Sequence, residues 1–116
     1  MKVLLITLIA IHGLIHLPGF VKAFKLTPVT QLSQPISKLN GSLWLLSAIM
    51  FVLAAAIFSM EKEWWWILSL SGIMISQYLI INAWQDAKYG TIANIVILII
   101  TIIGLGVWVL NKNRTI

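Results

Sequence analysis

The sequence predicts an all-α fold, a four-helix transmembrane bundle with an interfacial loop between its first two helices. Three observations carry that expectation. Hydrophobic residues make up 60% of the chain and charged ones only 9%, against roughly a quarter charged in soluble domains. Four apolar stretches, at about residues 3–22, 42–60, 64–85 and 91–110, each approach the ~20 helical residues that cross a hydrocarbon core. The connections between them are short, so residues 1–116 read as a single four-span membrane domain.

The first span opens with Met1-Lys2 and the apolar run Val3 to Ile11. A basic start before such a run resembles a secretion signal, but no small-x-small cleavage site follows, so it reads as a retained span. Pro18 lacks the amide that would bond back to Leu14, and a kink or stop is expected there. From Lys22 to Gly41 the chain carries Pro28, Pro35 and several hydroxyl and amide side chains. Val29, Leu32, Ile36 and Leu39 recur in it at near-helical spacing, which predicts a short interfacial helix. Asn40 or Ser42 is expected to cap the next helix.

Ser42 to Met60 carries no formal charge and includes Ala54-Ala55-Ala56, small enough for a neighbouring helix to approach closely. The turn at Glu61-Lys62-Glu63 is tight, which makes the second and third spans antiparallel neighbours. Trp64-Trp65-Trp66 falls where an interfacial aromatic belt belongs. Ser69, Gly72 and Ser76 then form a small-residue stripe suited to helix packing. Gly90 marks a turn and Thr91 a cap for the fourth span. That span is rich in isoleucine and would imitate a strand in water, but an isolated strand cannot satisfy its backbone in lipid.

The formal charge of +5 comes from basic residues scattered singly near span ends, where they face headgroups. With no basic cluster or aromatic platform, nucleic-acid binding is excluded, and the expected partner is the lipid bilayer, with a membrane-protein subunit or a second copy of the chain as a further possibility. The absence of cysteine removes disulfides, thiolate metal sites and thiol redox chemistry. Lys2, Lys62, Lys112 and Arg114 lie on one side of the membrane and Lys22, Lys25, Lys38 and Lys88 on the other. Lysine and arginine numbers are thus balanced, and the basic residues flanking the outer ends of the first and last spans place both termini in the cytoplasm of a cell with an inner membrane.

Polar chemistry concentrates in one half of this bundle. Tyr78, Asn82, Gln85, Asp86 and Tyr89 share a face if the third span runs on as a helix. Antiparallel threading brings them to the level of His12 and His16, one helical turn apart on the first span, and of Asn94 on the fourth. The expected ligand-binding set is therefore His12, His16, Gln77, Asn82, Gln85, Asp86 and Asn94, with Asp86 orienting an imidazole as carboxylates do. Interhelical hydrogen bonding accounts for the same residues without a ligand. A two-His-one-carboxylate metal site lacks a third histidine or an accompanying glutamate, and bis-histidine haem ligation fails because both rings leave one side of one helix. No nucleophile, glycine loop, metal or cofactor is expected.

The strings Ile11-His12-Gly13-Leu14-Ile15-His16-Leu17-Pro18-Gly19-Phe20-Val21-Lys22-Ala23-Phe24, Gln31-Leu32-Ser33-Gln34-Pro35-Ile36-Ser37 and Trp84-Gln85-Asp86-Ala87-Lys88-Tyr89-Gly90-Thr91-Ile92-Ala93-Asn94 together resemble an uncharacterised family of small bacterial four-span integral membrane proteins, and the chain is also distantly similar to DoxX-like four-helix membrane proteins. The resemblance implies fold and location and brings no activity. The expected function is that of a small binding or accessory membrane protein whose polar pocket takes a small or lipid-derived ligand or a partner subunit. The alternative is a membrane oxidoreductase component or transporter handling quinone or protons through His12, His16 and Asp86.

Overall fold

A computed structural model describes residues 1–114. Its helices are α1 (Lys2–Leu14), α2 (Leu17–Ala23), α3 (Lys38–Ser59), α4 (Trp65–Asn82), α5 (Trp84–Ala87) and α6 (Gly90–Arg114). Four rods, Lys2–Ala23, Lys38–Ser59, Trp65–Asn82 and Gly90–Arg114, are long and apolar enough to cross a membrane. The body measures 52 × 25 × 22 Å. Its outer surface is apolar along α1, α3 and α6, with Leu14, Ile49, Ile99 and Ile103 all exposed, the distribution that lipid rather than water rewards.

Pro18 acts as the sequence predicts. The helix tightens before it, so that the His16 amide bonds to the Gly13 carbonyl at 3.0 Å, one residue short of α-helical register, and α2 restarts with Pro18 in its first turn. Both α2 and α3 end in a Schellman turn with a non-glycine residue in the left-handed region. Lys25 (φ 56°) closes the first, with Leu26 N bonded to Val21 O. Glu61 (φ 62°) closes the second, with Lys62 N bonded to Ile57 O. The latter is the tight connection that makes α3 and α4 antiparallel neighbours.

Several sequence expectations shift. Helix α3 begins at Lys38, four residues before the expected start at Ser42, because Ser37 rather than Asn40 or Ser42 is its cap and accepts the Asn40 amide at 3.1 Å. Residues 24–37 hold no helix. Leu32, Gln34 and Ile36 are partly buried while Ser33, Pro35 and Ser37 are exposed, the alternation of an extended strap rather than a helical face. Pro35 favours that extended backbone in the residue before it. The third span stops at Asn82, not Gln85, and the fourth runs from Gly90 to Arg114 rather than from 91 to 110, with Thr91 inside the helix and not at its cap. Trp65 is no belt residue. It is buried and stacked on Phe58, with ring centroids 4.3 Å apart, while Trp64 stays exposed.

The core is centred on Phe51, which is fully buried among Ile9, Ala54, Ala55, Trp65, Ile73 and Ile97. A second cluster of Trp44, Leu79 and Ala83 fills the end of the bundle where the strap lies, with Phe20 and Ile36 against it. The small-residue stripe of α4 serves all its neighbours. Ser69 reaches Thr101 of α6 at 2.7 Å, and the Gly72 carbonyl accepts from Ser47 of α3 at 3.1 Å. Helix α2 lies so close to α3 that a Cβ on Gly41 would come within 2.1 Å of that of Ala23. We expect Gly41→Ala to lower stability by about 1–3 kcal/mol, the cost of overpacking. Gly106→Ala, whose Cβ meets nothing within 4 Å, should be neutral or raise stability by up to ~1 kcal/mol through helix propensity. Thermal unfolding of the two variants in detergent checks the contrast.

Candidate functional site

His12 lies in the last turn of α1 and His16 in the break before Pro18, as the cap residue of α2, and both are almost fully buried. Their partners come from three rods. His12 Nε2 lies 2.7 Å from Asn94 Oδ1 of α6, and His16 Nε2 lies 2.6 Å from Ser76 Oγ of α4. His16 Nδ1 lies 2.7 Å from the His12 carbonyl. Asn94 Nδ2 donates to Ser76 Oγ at 3.0 Å and to Gln77 Oε1 at 3.1 Å, and Gln77 Nε2 donates to Thr91 Oγ1 at 3.1 Å. The two imidazoles meet edge to face, with centroids 4.8 Å apart, and Phe51 and Trp44 lie against them.

The proton positions follow from one atom that can only accept. The His12 carbonyl has no hydrogen to give, so His16 Nδ1 carries the proton of its neutral ring and Nε2 carries the lone pair. Ser76 must then donate its single hydroxyl proton to His16 Nε2, at 2.6 Å, and cannot also spend it on Asn94 Oδ1, 3.3 Å away. It therefore accepts from Asn94, which fixes the amide with Nδ2 toward Ser76 and Oδ1 toward His12. That oxygen requires a donor, so His12 carries its proton on Nε2 and its lone pair on Nδ1. The bonds form a closed, one-directional circuit from His12 through Asn94, Ser76 and His16 back to the main chain of residue 12.

Pro18 supplies the starting point. In a continuous helix the His12 carbonyl would accept the amide of His16, four residues on. Because that amide turns to Gly13, the carbonyl is left for the imidazole.

Asp86 does something other than orient a histidine. Helix α4 breaks at Ala83 (φ −121°, ψ 39°), so the face expected to join Tyr78 and Asn82 to Gln85 and Asp86 does not exist. Asn82 is exposed and bonds to the Tyr78 carbonyl of its own helix at 2.8 Å. From α5, Asp86 reaches the strap instead. Its Oδ2 accepts the amides of Ser33 and Gln34, both at 2.9 Å, and its Oδ1 accepts the Ser33 hydroxyl at 2.6 Å. Gln85 accepts from Gln34 Nε2 at 3.1 Å, and Lys22 Nζ donates to the Leu32 carbonyl. The Ser33 hydroxyl and then the Gln34 amide hold the Asp86 carboxyl below its ordinary value of 3.8.

Beneath the strap is a cavity of about 190 Å³ lined by His12, His16, Trp44, Ile80 and Asp86 among others, with Leu32 as part of its roof. A groove of about 560 Å³ adjoins it, lined by Leu17, Val21 and Val29, and Ile15, Pro18, Leu32 and Asp86 belong to both walls. The expected set thus divides into His12, His16 and Asn94 in the buried circuit with Gln77 bonded to Asn94 beside it, Gln85 and Asp86 on α5 bonded to the strap, and Asn82 in neither. Ser76, the pivot of the circuit, is a residue the sequence presents only as part of a packing stripe. Among the described residues no group of three histidine, cysteine or carboxylate side chains is placed to hold a metal ion. No family model, curated protein or solved structure matches this chain.

Ser76→Ala leaves His16 Nε2 without its donor and removes one of the two acceptors of Asn94 Nδ2, and it should lower stability by about 1–3 kcal/mol. Ser71→Ala, which removes only a bond to the Ile67 carbonyl of the same helix, should stay within about 0.5 kcal/mol. Unfolding in detergent compares the two. The strap responds to acid with a definite sign. Because the folded Asp86 value is depressed, its attachment is fully present above 3.8 and is lost as pH falls through the lower folded value. The amide resonances of Ser33 and Gln34 should report that loss, and Asp86→Asn should give the released pattern at neutral pH.

Proposed function

We propose that this chain is a membrane protein that binds a lipid-soluble amphiphile, holding the polar head in the histidine cavity and the apolar tail in the adjoining groove. The observation that carries this reading is the shared wall of cavity and groove. One end presents two buried imidazoles, and the other presents Leu17, Val21 and Val29 below a fastened strap. Apolar sites with a few placed polar groups are the usual form of small-molecule pockets. The strap roofs the site with Leu32 and is tied down by Asp86 and Lys22, so it supplies a way for a ligand to enter from the headgroup region.

The role is one of binding rather than catalysis. The described residues offer no nucleophile next to a base, since Ser76 gives its proton to a histidine at the centre of a closed circuit rather than at a reacting carbon. Proton handling through the histidines is disfavoured by Asn94, because an amide relays a proton only through a high-energy imidic form. We place the protein in a bacterial inner membrane with both termini cytoplasmic, from the basic residues Lys2, Lys112 and Arg114 at the outer ends of the first and last spans.

The test uses the full chain in nanodiscs titrated with a long-chain alcohol and followed by calorimetry. Ala87 lines the cavity and takes no part in the circuit. Ala87→Leu should weaken saturable binding about tenfold, or by ~1.4 kcal/mol, while leaving the circuit intact. Binding that the substitution leaves unchanged would place the ligand elsewhere.

A further inference from the structure

The circuit has a direction, and that direction selects the chemistry of the head group. We infer that the amphiphile must bring a hydrogen-bond donor, a hydroxyl, and that His12 Nδ1 accepts it. This rests on the amphiphile reading above and narrows it to one ligand class.

The other imidazole nitrogens at the cavity are spent, and the Asp86 carboxylate is engaged by the strap. His16 uses Nδ1 on the His12 carbonyl and Nε2 on Ser76. Asp86 takes three donors from the strap, two on Oδ2 and one on Oδ1. His12 uses Nε2 on Asn94. Its remaining nitrogen is the lone-pair Nδ1, and no group among the described residues bonds to it. The residue is 5% exposed and lines the cavity, whose wall is otherwise mostly apolar, with Ile15, Pro18, Leu32 and Ile80. An apolar ligand that covers this acceptor leaves it unpaired at a cost, and a ligand hydroxyl pairs it.

A carbonyl or ether head meets the same lone pair as a second acceptor and gains nothing from His12. Rotating the His12 tautomer to suit such a head would put a lone pair on Nε2 against the lone pairs of Asn94 Oδ1, 2.7 Å away. Flipping Asn94 to relieve that would oppose its oxygen to the Ser76 oxygen, whose proton is committed to His16. Each adjustment is blocked by the next, back to the His12 carbonyl, which cannot donate at all. Discrimination of this kind, by a buried group that the wrong ligand leaves unpaired, is stronger than discrimination by shape.

An alkylphenol and its methyl ether separate the two chemistries with the same tail. Each is titrated into the full chain in nanodiscs labelled with nitrogen-15 at histidine, with empty nanodiscs correcting for partition into lipid. The phenol should bind saturably and at least about tenfold more tightly than the ether, and the His12 Nδ1 resonance should move with the phenol and stay fixed with the ether. His12→Phe should remove the preference, and the resonance of unsubstituted protein decides the matter if that variant fails to fold. Equal binding of both ligands would overturn the donor requirement and leave the amphiphile site standing. Preferential phenol binding with a stationary Nδ1 resonance would overturn His12 as the acceptor. Saturable binding of neither would overturn the site together with the inference.

Discussion

The carbonyl oxygen of His12 is the fixed point of this molecule. It is an acceptor by its covalent structure, it is buried, and the turn before Pro18 deprives it of the main-chain amide it would otherwise receive. Every proton of the circuit through His12, Asn94, Ser76 and His16 is ordered by that one constraint. The resulting bonds join the first rod to α4 and α6. Direct packing between α1 and α6 is slight, so the contact of His12 with Asn94 is the main tie between them. Interhelical bonds in membranes average only ~0.6 kcal/mol and reach about 1.7, which makes them minor in total stability. Their larger effect is on arrangement, since a wrong rotation of any one rod strands several buried polar atoms at once.

A second polar system, at the rim, is kept apart from the first by the break at Ala83. Had α4 continued, Asp86 would have stayed on the face of Asn82 and Tyr78. Turned onto α5, its carboxylate instead receives two consecutive main-chain amides and a hydroxyl, a set of donors suited to a charged acceptor. The division keeps the Asp86 charge at the end of the bundle and the histidine circuit between the apolar rods, where an ion would be costly in a membrane.

Much of this was legible in the sequence, and the reasons for the exceptions are physical. The four rods follow from apolar length alone, and the interruption of the first from Pro18. The convergence of His12 and His16 with Asn94 follows from antiparallel threading, because depth along a rod is set by residue count. The break at Ala83 was not readable, since alanine is the strongest helix former and residues 82–84 contain neither proline nor glycine. Its cause is tertiary: the strap offers Asp86 unpaired amides that a straight helix would not reach. Trp65 misled for a related reason. Three consecutive tryptophans look alike as anchors, yet successive helical positions differ by about 100° in direction, and Trp65 is the one turned toward Phe58. Ser76 was hidden because a small residue on a packing stripe and a pivot of a hydrogen-bond circuit have the same spacing.

The polarity of the circuit also separates two kinds of chemistry that a pair of buried histidines invites. Proton transfer along hydrogen bonds needs every member to accept on one side and donate on the other, and then to reverse. His16 and Ser76 meet that condition, but Asn94 does not, because its oxygen and nitrogen exchange roles only by rotation of the whole amide. Rotation would break its bond to Gln77 along with those to His12 and Ser76, and Gln77 is itself held by Thr91 at the start of α6. The amide therefore behaves as a valve fixed in one position. It sets a preference for where protons sit, and on the proposed binding reading that favours recognising a donor over moving a charge.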